Sequence, residues 1–159
     1  MRAWAVLLVT VGLSGVIATA SASPTARCYP QRAATEISRA PGCIVGTNGA
    51  DTIVGTAAGE KLYGWAGDDR IAGGAGDDHI QSGAEDDVVY GGPGNDVIDG
   101  ALGEDEIFGG PGDDVLKAGG GQPDLVACGP GEDTARVDKL DTVGPGCEHV
   151  IVTRGYPTP

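Results

Sequence analysis

From Gly46 the chain runs in blocks of nine: GTNGADTIV, GTAAGEKLY, GWAGDDRIA, GGAGDDHIQ, SGAEDDVVY, GGPGNDVID, GALGEDEIF, GGPGDDVLK and AGGGQPDLV, which end at Val126. The eighth place is aliphatic in every block: Ile53, Leu62, Ile71, Ile80, Val89, Ile98, Ile107, Leu116 and Leu125. The sixth place is an acid in all but the last: Asp51, Glu60, Asp69, Asp78, Asp87, Asp96, Asp105 and Asp114, then Pro123. A period of nine is too short for helix pairs and suits short strands joined by tight turns. Glycine at the first, second and fourth places lets the backbone reach positive φ. In a minimal strand around the eighth place only the middle side chain points inward. The expected fold is all-β, a right-handed parallel β-roll (a β-solenoid) with two blocks per coil and strands stacked about 4.8 Å apart.

Composition admits no other core. Gly accounts for 29 of 159 residues and aromatics for 4%, too little bulk for a conventional packed interior. Low hydrophobicity with high charge would otherwise point to disorder. The charge is also localised: residues 46–126 hold 17 acids against Lys61, Arg70 and Lys117, a balance of −14 in a chain whose net charge is −13. Such a block repels nucleic acid and anionic membrane and calls for cations. Acids 18 residues apart stack into two columns, Asp78, Asp96 and Asp114 on one edge and Asp51, Asp69, Asp87 and Asp105 on the other. Carboxylates about 5 Å apart repel by roughly 3 kcal/mol per pair at an effective dielectric near 20. A hard cation between coils reverses that cost, and an all-oxygen cage of carboxylates and carbonyls favours Ca²⁺.

The ends read differently. Met1-Arg2 precedes the uncharged run AWAVLLVTVGLSGVIATA, and Ala20-Ser21-Ala22 forms a small-residue cleavage pattern, so residues 1–22 are expected to be a signal peptide and the mature chain secreted and extracellular. No other segment could span a membrane, so no membrane insertion of the mature chain is expected. Four cysteines allow three pairings. None has C-x-x-C spacing, which argues against zinc or redox motifs. They sit as two local pairs, Cys28 with Cys43 and Cys128 with Cys147, and local disulfides are expected. The domain reading is a signal peptide (1–22), an N-terminal cap (23–45), nine repeats (46–126) and a C-terminal cap with a degenerate tenth repeat (127–159).

The blocks GGAGDDHIQ, GGPGNDVID and GGPGDDVLK resemble the hemolysin-type calcium-binding nonapeptide repeat of RTX proteins, G-G-x-G-x-D-x-U-x. The resemblance covers 81 of the 137 residues of the expected mature chain. It implies a calcium-filled parallel β-roll whose sixth-place acids and turn carbonyls hold the metal. The candidate ligands are Asp51, Glu60, Asp69, Asp78, Asp87, Asp96, Asp105 and Asp114. The segment CGPGEDTARVDKLDTVGPGCEHV is similar to the cysteine-bearing ends of secreted repeat proteins of this kind, with Asp133 as the acid of a slipped tenth repeat. Even-numbered blocks keep the full GGxGxD turn in three of four cases. Odd blocks depart from it, with Trp65 or Glu85 where the pattern has glycine, so the even edge is expected to bind calcium better.

No catalytic constellation is present in the sequence: His79 and His149 lie far apart, without H-E-x-x-H or G-x-S-x-G context. Recurring acids argue for a metal ladder rather than a single pair of catalytic carboxylates. Threonines are confined to the first two blocks, which excludes a threonine-patterned ice-binding face. The expectation is a non-enzymatic, calcium-folded structural or binding module outside the cell. The alternative is an accessory polysaccharide-binding component of a carbohydrate-processing system. Its expected partners are calcium ions and a cell-surface glycan or protein, not nucleic acid. The outward ninth places of odd blocks, Val54, Ala72, Tyr90, Phe108 and Val126, predict an apolar stripe on one sheet.

Overall fold

The structure is a computed structural model that describes residues 38–40 and 42–153. Strands of two to six residues follow one another with no helix among the described residues. From β2 onward, successive strands belong to opposite sheets. One sheet contains β1 (Ser38–Ala40), β2 (Cys43–Val45), β4 (Lys61–Ala66), β6 (His79–Ala84), β8 (Val97–Leu102), β10 (Val115–Lys117), β12 (Thr134–Val137) and β14 (His149–Val152), in that order. The other contains β3 (Thr52–Val54), β5 (Arg70–Ala72), β7 (Val88–Tyr90), β9 (Glu106–Phe108), β11 (Leu125–Ala127) and β13 (Thr142–Val143), also in chain order. Every pairing is parallel except that of β1 with β2. The result is a parallel β-solenoid of about six turns.

The core is a single ladder. Ile53, Leu62, Ile71, Ile80, Val89, Ile98, Ile107 and Leu116 are each 0–1% exposed. Each coil thus contributes one aliphatic side chain from each sheet, and the two rows face each other across the coil. Partners are offset by 18 residues, as in Ile53 with Ile71 and Leu62 with Ile80. Residues flanking each rung point outward, so each rung adds only its aliphatic side chain to the interior.

The coil extends beyond the nine blocks in both directions. Ile44 pairs with Leu62 and is buried, so Cys43–Val45, placed by sequence in the N-terminal cap, already forms a rung. Ala135 pairs with Leu116 and then with Val150, so the segment assigned to a C-terminal cap carries further rungs. Cys128 and Cys147 form a disulfide, with Cα atoms 5.1 Å apart. Cys128 is fully buried in the core, and Cys147 packs against it. Cys28 lies outside the described residues, and with it the expected Cys28–Cys43 pairing.

One expectation of register fails. The ninth block holds an extra residue, because Ile107 pairs with Val126 and Phe108 with Ala127, an offset of 19. Val126 is therefore the inward residue at 0% exposure, while Leu125 points out at 37%. Asp124, not Pro123, occupies the acid position. The run Gly119-Gly120-Gly121 lies where the extra residue must be absorbed, and both Gly120 and Gly121 have positive φ. The apolar stripe accordingly ends in Ala127 rather than Val126; Tyr90 and Phe108 stack within it at 4.9 Å.

Candidate metal centre

Each acid column is tied together by one carboxylate oxygen per residue. Oδ1 of Asp78 accepts the backbone N–H of Glu60 at 2.8 Å, Asp96 that of Asp78 and Asp114 that of Asp96, both at 2.8 Å. On the other edge Asp69 accepts from Asp51, Asp87 from Asp69 and Asp105 from Asp87, at 2.8–3.0 Å. The slipped register continues both columns: Asp124 accepts from Asp105 at 2.8 Å and Asp133 from Asp114 at 2.7 Å. Asp114 therefore does not end its column, and the odd column does not stop at Pro123.

The second oxygen divides the acids into two kinds. In Asp69, Asp78, Asp87, Asp96, Asp105, Asp114, Asp124 and Asp133, Oδ2 is buried and has no hydrogen-bond partner. These residues are at most 3% exposed. In the first coil the acid is satisfied locally instead. Asp51 Oδ2 accepts the Thr47 backbone N–H at 2.6 Å and the Thr47 hydroxyl at 3.0 Å. Glu60 accepts the Thr56 N–H at 2.9 Å and the Thr56 hydroxyl. Of the eight sequence candidates, six thus share the orphaned geometry, while Asp51 and Glu60 do not. Asp124 and Asp133 complete the set of eight.

The turns explain why glycine precedes these acids. A Cβ on Gly91 would lie 2.3 Å from Asp96 Oδ2 and 2.6 Å from the Gly109 carbonyl oxygen. The same pair of oxygens, one carboxylate and one carbonyl from the next coil, closes on Gly73 and Gly109. On the odd edge Ser82 takes a first place; its hydroxyl donates to the Gly100 carbonyl at 2.8 Å. Three non-glycine residues are forced to positive φ on this edge, Trp65 at 94°, Glu85 at 79° and Ala101 at 69°. The departures from glycine seen in the sequence are thus sites of backbone strain.

Burial acts against the charged form of these carboxyls. It lifts Asp69, Asp105, Asp114 and Asp124 to about 7, opposed by the backbone N–H each accepts and reinforced by neighbouring acids. Asp87 and Asp96 rise to about 6 for the same reasons, with the Ser82 hydroxyl also opposing the rise at Asp87. Asp78 is raised too, by burial first.

A second ladder escaped the sequence reading. Fifth-place side chains accept the N–H of the next coil, Asp77 from Asn95 at 2.9 Å and Asn95 from Asp113 at 2.8 Å. Asp86 accepts likewise from Glu104 at 2.9 Å. This ladder is exposed and runs in the direction opposite to the buried one. The recurrent acidic pair at places five and six was its signal.

Among the described residues no three His, Cys, Asp or Glu side chains converge as a ready-made metal centre. A cation here would have to take carboxylate oxygens together with backbone carbonyls. The eight orphaned oxygens fit that requirement, because each belongs to a carboxyl group, is buried and has no hydrogen-bond partner.

Fold and site together define an acid-laddered parallel β-solenoid. The profile of the RTX calcium-binding nonapeptide repeat (4 copies) matches at residues 45–80, 73–107 and 99–122, so this stretch of the chain carries repeats of that family. No curated protein matches it. No helix among the described residues is long and apolar enough to cross a membrane.

Proposed function

We propose that the chain is a calcium-binding β-roll that folds when the metal binds and serves as a structural or binding module outside the cell. The observation that carries this reading is the set of eight buried Oδ2 atoms without a partner. Asp69, Asp87, Asp105 and Asp124 would hold calcium on one edge, and Asp78, Asp96, Asp114 and Asp133 on the other, each with turn carbonyls. Calcium would supply positive charge and accept the oxygen lone pairs that the fold leaves unused. Asp51 and Glu60 have threonine donors in that role and would need no metal. The expected signal peptide, the extracellular compartment and the absence of catalysis complete the reading.

Metal-free chain should lose most of its β structure, because carboxylate repulsion and glycine entropy then face only a thin core. Far-UV circular dichroism during a calcium titration tests this. A cooperative gain of β signal is expected with a midpoint of roughly 10⁻⁴ to 10⁻³ M. An unchanged spectrum between chelator and about 10 mM Ca²⁺ would overturn it.

A further inference from the structure

The last rung of the larger sheet is built like the others but has no successor. β14 pairs with β12, and among the described residues no strand lies beyond it. Val150 and Val152 stand in register with Ala135 and Val137, which are inward and buried. With no further coil to cover them, Val150 and Val152 are 44% and 64% exposed. Ile151 between them faces the outer surface, in register with the exposed Arg136, and is 47% exposed.

The backbone of such a strand turns its polar groups alternately to either side. The His149 N–H donates to the Asp133 carbonyl at 2.9 Å and the Thr153 N–H to the Val137 carbonyl at 2.7 Å, so odd-numbered residues bond back to β12. The N–H and C=O of Val150 and Val152 therefore point to the open edge. These are the same two residues whose side chains belong to the core. Native sheet edges are commonly blunted by Lys, Pro or a bulge. None of these interrupts residues 149–153. At the opposite end of the sheet the antiparallel β1 covers the edge. The sequence after Thr153, RGYPTP, is poor strand material for a second cover of that kind, since Pro157 and Pro159 have no N–H to donate.

We propose that β14 pairs with β14 of a second copy of this chain, joining two rolls tail to tail in a closed dimer. The edge is complementary to itself. Val150-Ile151-Val152 reads the same in both directions, and its two outward-bonding residues lie symmetrically about Ile151. A two-fold axis through Ile151, perpendicular to the sheet, sets Val150 of one copy against Val152 of the other. These residues then exchange both N–H···O bonds, and Ile151 meets Ile151 as the closer, non-hydrogen-bonded pair. The same axis keeps inward faces inward, so the exposed valines continue the aliphatic ladder across the junction. An isologous interface needs this symmetry, which a different partner would not require. Residues 149–153 contain no Asp, Glu, Lys or Arg, so the pairing opposes no like charges within the strand in a chain of net charge −13. This interface goes beyond the calcium reading and needs only the folded roll.

A coil end about 10 Å thick offers less than the roughly 800 Å² per partner of a standard interface. The dimer is therefore a weak one, with a dissociation constant of roughly 10⁻⁵ to 10⁻⁴ M. Sedimentation velocity of the full chain in about 10 mM Ca²⁺, from about 1 to 500 µM, should show a monomer–dimer equilibrium that saturates at the dimer. Ile151→Lys places a charge on the two-fold axis, against its own copy, and should weaken association about tenfold or more. Tyr90→Lys, at an exposed position on the other sheet, should leave association unchanged. Calcium-induced circular dichroism should match the parent in both, since Ile151 and Tyr90 are exposed in the single roll. Ile151→Cys should cross-link to itself on mild oxidation, because facing Cα atoms of a non-hydrogen-bonded pair lie about 4.5 Å apart, within disulfide range. Gln81→Cys, exposed in the middle of the roll, should not. A monomer over the whole range, growth beyond the dimer that Ile151→Lys abolishes, or undiminished association of folded Ile151→Lys would each overturn the proposal.

Discussion

Asp96→Asn separates the two demands placed on the acid column. Asn keeps an oxygen to accept the Asp78 N–H, a bond of 2.8 Å in the parent. It replaces the orphaned Oδ2 with an NH₂ that faces the space shared with the Gly109 carbonyl. In the metal-free roll the Asp96 carboxyl sits at about 6 rather than 3.8, because burial disfavours its charge. An acid whose folded pKa is raised destabilises the fold as pH climbs from the unfolded value through the folded one. Near pH 7.5 the penalty is complete, about 3 kcal/mol at 1.36 kcal/mol per unit. Asp96→Asn removes that penalty and one metal ligand together. The balance between folded and unfolded metal-free chain should therefore shift toward the fold by up to that figure, seen as more residual β signal in chelator, while the calcium midpoint rises. Asp51→Asn should do neither: it loses acceptor capacity toward Thr47, costing about 1 kcal/mol, and leaves the calcium midpoint nearly unchanged. Circular dichroism in chelator and during a calcium titration reads both quantities. If Asp96→Asn weakens the metal-free fold, or if Asp51→Asn raises the calcium midpoint more than Asp96→Asn, the division of the acids by their second oxygen is wrong.

Other consequences are equally direct. In chelator, lowering the pH from 8 toward 4 should increase β structure, since the raised carboxyls become neutral in that window before unfolded aspartates do; a β signal that falls steadily over this range would contradict it. Gly91→Ala should disrupt calcium-dependent folding more than Gly49→Ala, because its Cβ meets Asp96 Oδ2 at 2.3 Å whereas one on Gly49 meets nothing within 4 Å; equal calcium midpoints for the two variants would count against the packed turn. Asp124→Ala should raise the calcium midpoint and Pro123→Ala should not, and the reverse order would restore the unslipped register.

The ladder of Ile53 through Leu116 was readable because an aliphatic at every eighth place is a strong periodic signal, and the coil has no other way to bury it. The slip was hidden by two local ambiguities. Leu125-Val126 offers two adjacent aliphatics, either of which completes the period, and Gly119-Gly120-Gly121 has no side chain to mark phase. The acid at position 124 was the discriminating sign, since a shift of one residue returns a carboxylate to the sixth place. The sorting of the acids was also encoded, by Thr47 and Thr56 four residues ahead of Asp51 and Glu60. Counting acids could not reveal it, because the distinction lies in who satisfies the second oxygen.

The threonine-closed first coil gives the roll a direction in time. A solenoid grows by adding each coil to one already formed, and the first coil is the hardest to make because it has no neighbour. Here that coil closes its turns with its own hydroxyls, and every later acid hands its N–H to the carboxylate of the coil that follows. The end synthesised first thus closes without a metal, and coils could zip onto it in the direction of the Cys128–Cys147 staple. A chain that emerges amino end first would offer this self-closed coil before the coils whose carboxylate oxygens lack partners.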